Sequence, residues 1–551
     1  MKRAKLFTIL YILLISTSPH LAVANTTFSI KATSLSPSFS QNQTDYTLRK
    51  CHQKKVSIKL EIPGNSNVTV DGKKVTQGAV MKTLKKDQLV NITITEKNIP
   101  RQYFIRCLPD DFPEISVIKH SNTAPKSQYL LASGNRTNPK TWELVRKYYM
   151  ILDESGVPLW YMKAEGFPAI IEKASNNSVY TLASPEGLNP SYAARGNPGI
   201  IATNLNGSYI SALRQGEKTP IDGHSLKILP NGSKLLITVR LEKNVDLSKT
   251  FNQLTALDVA GGGIKDCSLE VTNSATVAYP EIRIVDKKGK TTWYWDSKGN
   301  IQNDESILPA VTNIDYTGKT NCIIDLFHAS HVSLSEDGKT ILLTTRFTSS
   351  TYGIDFNSKK ILWKVGGTKT PYSLKIEKDP LDKEGPRGHH GGELNKENLL
   401  ILFDNRREIS QISRGVMYQL NLNDRKAEYK SALMPVQKPC TMLENDVICS
   451  SYSMGGATFT KDGFKLVSWG FKLNNPNVAT LYDAKDKPVL TIQNTFGVHT
   501  TYKVSYLSEA ERFDKNILRV NASSDKVIRA SWKTTQKPVT NTSDVAVGTI
   551  K

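Results

Sequence analysis

The chain has 551 residues, 39% of them hydrophobic and 22% charged, a balance that suits a folded protein and excludes a disordered one. Its formal net charge of +21 favours anionic partners in general: small anions, polysaccharides, membranes or nucleic acid. No run of five consecutive basic residues and no nucleic-acid motif accompanies that charge, so a diffuse positive field is expected, not a nucleic-acid footprint.

Residues 1–24 read as a secretory signal. Lys2, Arg3 and Lys5 form the charged start, Leu6 to Ile15 a short apolar core, and Ala22-Val23-Ala24 the small residues before cleavage after Ala24. The apolar run falls short of the ~20 residues that span a bilayer, and no other stretch is apolar enough. Cleavage leaves 527 residues (551 − 24) and a charge of +18 (21 − 3). A periplasmic or secreted address follows, with no stable membrane insertion. Export also places the six cysteines where disulfides persist. Six cysteines allow fifteen pairings, and the sequence groups them locally as Cys51 with Cys107, Cys267 with Cys322, and Cys440 with Cys449. No C-x-x-C spacing suggests redox chemistry or zinc.

Residues 25–112 contain short alternating runs ("VSIKLEI", "NVTV", "VNITITE", "QYFIRC") between Gly, Asn, Asp and Lys turns, which predicts a small N-terminal β-sandwich without evident chemistry. Pro109, Asp110, Asp111 and Pro113 mark its boundary. From 113 to 551 a two-part unit recurs. One part is a hairpin whose second strand ends in apolar residues, as at 226–240, 332–346, 392–406 and 457–471. The other is a hairpin with a polar turn, as at 148–162, 281–295, 352–365, 417–429 and 480–492. Units of about four short strands without a helical period predict an all-β chain and a six-bladed β-propeller, with five or seven blades the alternatives.

Three repeats share a chemical signal. His224 stands eight residues before Gly232, His328 ten before Gly338, and His390 eight before Asn398. Arg240, Arg346 and Arg406 each follow those turn positions by eight. The innermost strands of a propeller line its channel, so equivalent positions of different blades converge on the axis. Three of only nine histidines in one register point to a shared site. Arg240 and Arg406 are read as structural partners. His331 is expected to point elsewhere, only one of His389 and His390 can face the channel, and His499 is the rival nucleophile. No G-x-S-x-G elbow, Walker loop or H-E-x-x-H is present, and "GGGIK" (261–265) is read as a loop.

The segments "DLFHASHVSLSEDGKTILLTTRFTSSTYGIDFNSKKILWKVGG" (325–367) and "GHHGGELNKENLLILFDN" (388–405) resemble the bacterial aryl-sulfate sulfotransferases. The resemblance implies an exported six-bladed propeller with an N-terminal β-sandwich, typically homodimeric, with neither a nucleotide sulfate donor nor a metal or other cofactor. It implies that His390 is the sulfated histidine, His328 the D-x-x-H histidine, Arg346 its arginine partner, and His224 the earlier site histidine. Gly391, Gly392 and His389 depart from the family pattern. The expected activity is sulfuryl transfer from a phenolic sulfate ester to a phenol through a sulfohistidine, with ping-pong kinetics. His390 would attack, His328 and Arg346 would hold the sulfuryl oxygens, and His224 would protonate the leaving phenolate. Phe327, Tyr352 and Tyr452 are candidate aromatic walls, with core packing the alternative for each. The alternative functions are a non-catalytic propeller binding an anionic glycan or protein, and a metal-dependent hydrolase. The latter would need clustered carboxylates at the channel, where histidine and arginine stand instead.

Overall fold

A computed structural model describes residues 28–528 apart from 65, 77, 137–143, 165–166, 185–198, 215–220, 257–266, 315–319, 382–384, 407–411, 437–441, 444–445, 448–450, 452, 472–475 and 497, together with 547–548. The secretory signal, the "GGGIK" loop, Cys440, Cys449 and Tyr452 therefore lie outside the described residues.

The described chain is nearly all β, as its alternating runs predict, with one short α-helix at Lys515–Asn521 and a 3-10 turn at Asn303–Glu305. Residues 29–107 form a three-stranded and a five-stranded sheet that share one apolar cluster around Ile30, Leu48, Ile58, Val90 and Ile105. The Cys51–Cys107 disulfide joins the residues just beyond Asp45–Leu48 to the last strand, Ile99–Cys107. Polar contacts tie these sheets to the C-terminal part of the chain: Arg519 pairs with Asp45 at 2.6 Å, and Tyr161 donates to Asp87 at 2.6 Å.

Beyond them, among the described residues, stand six sheets, each built on four antiparallel strands as a propeller blade, and five of them extended by further strands. Blade three runs Ile221–Ile228, Lys234–Val245, Ala275–Val285, Thr291–Asp296; blade four runs Ala329–Leu334, Thr340–Thr345, Ser350–Asp355, Ile361–Val365. Blade five begins with His390–Leu394 and blade six with Gly456–Phe459. Blade two begins with Phe167–Ser175. Blade one is assembled from both ends of this region: Val504–Leu507 pairs with Gln128–Arg136, which leads into Val145–Asp153 and Pro158–Ala164. Ile115–Lys119 adds a fifth strand to the outer edge of blade six, a second closure of the ring.

The recurring hairpins share one turn. Gly232, Gly338, Asn398 and Gly463 all have positive φ (81°, 73°, 59° and 87°) and each donates its N–H to the carbonyl three residues back. That left-handed position is open to Gly and tolerable for Asn, which is why the sequence alternates only between those two there. The turn fixes the register of each inner hairpin. It thereby sets equivalent residues of different blades at one depth.

Blade three carries an insert. Thr320–Asp325 adds in parallel to Ala275–Val285, and Cys322 within it is bonded to Cys267. This pairing braces the segment that delivers Asp325 and His328. Both described disulfides match the local pairing expected from the sequence.

Candidate active site

The three register-matched histidines stand at the entrances of neighbouring inner strands. His224 lies within Ile221–Ile228 of blade three, His328 immediately precedes Ala329–Leu334 of blade four, and His390 opens His390–Leu394 of blade five. Their rings converge: His224 and His328 meet edge-to-face with centroids 4.8 Å apart. Tyr502, from the segment leading into the inner strand of blade one, sits 5.6 Å from His224 and 6.3 Å from His390. All four side chains are buried, whereas Arg346 is half-buried. Burial pushes the pKa values of His328 and His390 down, and the positive charge of Arg346 reaches both and adds to that effect. Its backbone N–H donates to the His328 carbonyl at 2.9 Å. The predicted set of His224, His328, His390 and Arg346 is thus one cluster.

The three imidazoles differ in what orients them. Asp222 accepts from His224 Nδ1–H at 2.5 Å and from the His224 backbone N–H at 2.8 Å. Asp325 does the same for His328, at 2.7 and 2.8 Å. A carboxylate behind Nδ1 fixes the tautomer and stabilises an imidazolium, leaving Nε2 to exchange protons or hold an anion. His390 has a neutral partner instead: Asn405 Oδ1 accepts its Nδ1–H at 2.7 Å. Asn405 spends its amide group on the Met454 carbonyl, at 3.1 Å, which fixes its orientation. Burial, then the nearby Arg346, drives the His390 pKa well below the ordinary histidine value. His390 is therefore an uncharged imidazole whose only lone pair is on Nε2. His328 is pulled down by burial and up by Asp325, with burial the larger effect. It also holds a positive φ of 48°, a strained conformation of the kind found where a side chain must be aimed.

The surroundings refine the remaining expectations. Phe347 stacks on His328 at 4.6 Å, so Phe347 and Tyr502 wall the cluster. Phe327 packs on Tyr279 in the core, and the Tyr352 hydroxyl donates to Glu305 at 2.9 Å; both are structural. Arg240 lies at the surface, paired with Asp296 and Glu242, and Arg406 is fully buried against Asp404. His389 accepts or donates through Nε2 at Thr351 Oγ1, 3.0 Å away, and burial lowers its pKa to about 3. His499 Nε2 bonds the Asn477 carbonyl at 3.2 Å. Gly391 has a φ of +67°, and a Cβ there would come within 3.0 Å of Gly456 Cα, so the residue after His390 is glycine for lack of room. Among the described residues, no group of three or more His, Cys, Asp or Glu is placed to hold a metal ion.

One level deeper, the residues three beyond each site histidine form a polar layer. Lys227 pairs with Glu393 at 3.4 Å, Lys503 with Glu172 at 3.3 Å, and His331 Nδ1 meets Ser225 Oγ at 3.3 Å. Burial first, then Lys503 and Lys227, drives His331 well below the ordinary value, so it stays neutral. These charges offset one another in opposed pairs.

Fold and site together define a propeller that brings three buried histidines of neighbouring blades together beside a half-buried arginine. Residues 265–431 match the arylsulfotransferase (ASST) family model. That span holds His328, Arg346 and His390. No curated protein matches the chain at a significant level. Among solved structures, it is similar to a quinonprotein alcohol dehydrogenase-like protein from Bacteroides thetaiotaomicron (12% identity, 87% of this chain and 99% of that chain, TM-score 0.30). It is also similar to a putative 6-phosphogluconolactonase from Bacteroides uniformis (12% identity, 70% and 100%, TM-score 0.34) and the β-propeller domain of Cps50 from Myceliophteria thermophila (9%, 69% and 90%, TM-score 0.31). These distant likenesses carry no functional argument. The two disulfides fit an oxidising, extracytoplasmic compartment.

Substituting Asp222→Asn removes the carboxylate behind His224 while keeping the shape. Turnover with an aryl sulfate is expected to fall by about 10²–10⁴, the size of a misdirected acid–base histidine. Steady-state phenol release, checked against an unchanged melting profile, tests this.

Proposed function

We propose that the protein transfers a sulfuryl group from a phenolic sulfate ester to a phenol through a sulfohistidine at His390. The observation that carries this is the division among the imidazoles: two backed by carboxylates and one by a neutral amide, with the charge of Arg346 reaching His328 and His390. In the first step the Nε2 lone pair of His390 attacks sulfur while the S–O bond to the aryl group breaks. The departing phenolate takes a proton from His224, whose imidazolium Asp222 stabilises. Nδ1–H of His390 stays on Asn405, so the ring carries the positive charge that the sulfo group balances. In the second step an incoming phenol gives its proton to His224, its oxygen attacks sulfur, and the S–N bond returns its electrons to His390. His328 and Arg346 hold the equatorial oxygens, and an anion between them favours the His328 imidazolium. Phe347 and Tyr502 flank the aryl ring.

Incubation with a chromogenic aryl sulfate, then mass mapping, is expected to find an adduct of roughly 80 Da on the peptide holding His390. Phenol release without a labelled histidine would remove the mechanism. The pH profile is a second test. A nucleophile must be neutral, and a depressed pKa keeps His390 neutral well below the ordinary value of ~6.5. The initial burst of phenol release is therefore expected not to fall as pH is lowered through 6.5. An acid limb at the ordinary histidine pKa would indicate another nucleophile.

A further inference from the structure

The reactive nitrogen of His390 already has a partner. Met454, at the entrance to blade six, donates its main-chain N–H to His390 Nε2 at 3.2 Å. An imidazole nitrogen has one in-plane lone pair, so Nε2 cannot accept this hydrogen bond and bond sulfur at once. The donor is firmly placed. Met454 has a φ of +65° with its side chain buried, its carbonyl is held by Asn405, and the next N–H, of Gly455, donates to the Tyr502 carbonyl at 2.9 Å. Ser453 is fastened on its other side, its carbonyl accepting from Phe471 N–H at 2.9 Å. Gly470 makes room: a Cβ there would lie 2.5 Å from the Ser453 oxygen and 2.7 Å from the Met454 carbonyl carbon. An unstrained loop would have no need of a positive φ at a methionine beside a reactive histidine.

Resting on the sulfuryl-transfer reading above, we infer that the Met454 main-chain amide is a catalytic group that caps His390 Nε2 at rest and passes to a sulfuryl oxygen when sulfur bonds there. No proton is transferred in the exchange: the N–H changes acceptor from a nitrogen lone pair to an oxygen of the bound sulfuryl group. The cap has two effects. A donor to the neutral imidazole disfavours protonation of Nε2, adding to the effect of burial. In the transition state the same N–H faces the equatorial charge, where a fixed main-chain donor is an oxyanion-hole element. Asn405 couples the two, with its Oδ1 on the His390 Nδ1–H and its amide on the Met454 carbonyl.

The test replaces Met454 in the full chain by its α-hydroxy analogue, turning the Ser453–Met454 amide into an ester, which deletes the N–H and leaves the side chain unchanged. The same replacement at Gly455 serves as the control, since it disturbs the same segment, weakening the Met454 carbonyl that Asn405 holds, but leaves the Met454 N–H in place. The Met454 ester is expected to slow the first burst of phenol release by about 10²–10³ and to move its acid limb to higher pH. The Gly455 ester is expected to do neither beyond a few-fold. Equal rates and equal limbs in the two esters would overturn the inference. Peptide-resolved hydrogen exchange on the unaltered protein gives a second measurement. The Met454 amide should stay protected in both the free and the sulfated forms, and rapid exchange in the sulfated form would overturn the handover. Failure of the underlying reading is distinguishable, because it shows as the absence of any adduct on His390 in the unaltered protein.

Discussion

His390→Ala is expected to abolish sulfuryl transfer, lowering turnover by a factor on the order of 10⁶, as loss of a nucleophile does where the other groups act only through it. The substitution removes Nε2 and leaves Asn405 Oδ1 and the Met454 N–H to find other partners. At about 1–3 kcal/mol for an unmet buried polar group, that cost is a fraction of the stability a folded domain holds. The variant should therefore fold and retain its aryl-sulfate affinity while forming no adduct. Binding measured by calorimetry, beside phenol release, separates the two. A His390→Ala protein that turned over at the original rate would shift the chemistry to another histidine. One whose only measurable function, ligand binding, was untouched in a protein never seen to turn over would favour the binding propeller.

The second large effect concerns stability. Asp404 is fully buried and accepts from Arg406 at 3.0 Å and Arg414 at 3.0 Å, while Arg414 also pairs with Asp379 at 2.7 Å. Asp404 Oδ1 further accepts the Arg387 N–H at 2.9 Å, and the Arg406 N–H donates to the Arg387 carbonyl. The network thus clamps the approach to His390. Asp404→Ala takes a carboxylate away from two buried guanidiniums, and is expected to cost about 3–5 kcal/mol, read as a lower denaturation midpoint. Activity should fall with it, because Arg387–Gly388–His389 is the segment that aims His390. Arg240→Ala is the contrast. Its ion pairs lie at the surface, where such pairs contribute about 0–1 kcal/mol.

Much of this was readable in the sequence. Gly232, Gly338 and Asn398 mark one left-handed turn position, and counting back from it brings His224, His328 and His390 to a common depth. Turn chemistry fixes register, and register fixes depth, so the convergence of three histidines followed from local rules. Arg240 and Arg406 share the spacing of Arg346 but not its place: Arg240 lies inside the long strand Lys234–Val245, whereas Arg346 and Arg406 stand just past the ends of Thr340–Thr345 and Leu399–Asp404. What orients each imidazole was less visible. Asp222 precedes its histidine by two residues and Asp325 by three, so no single spacing announces the pair. Tyr502 follows no turn of the repeat, since the inner strand of blade one comes from the far end of the chain. Met454 contributes a main-chain N–H, for which no side chain gives notice. Gly391 and Gly392 read as departures from a family pattern until the backbone of blade six is seen pressed against Gly391.

The way blade one is made has a consequence for biogenesis. Its inner strand, Val504–Leu507, is separated by more than three hundred residues from its neighbour Gln128–Arg136, a pairing that carries a large loop-closure cost and forms late. Tyr502 and the carbonyl that receives Gly455 arrive with that strand. A chain made amino end first would thus carry its histidines in an unfinished, water-filled ring, and the pocket around them would be assembled only once the tail had followed.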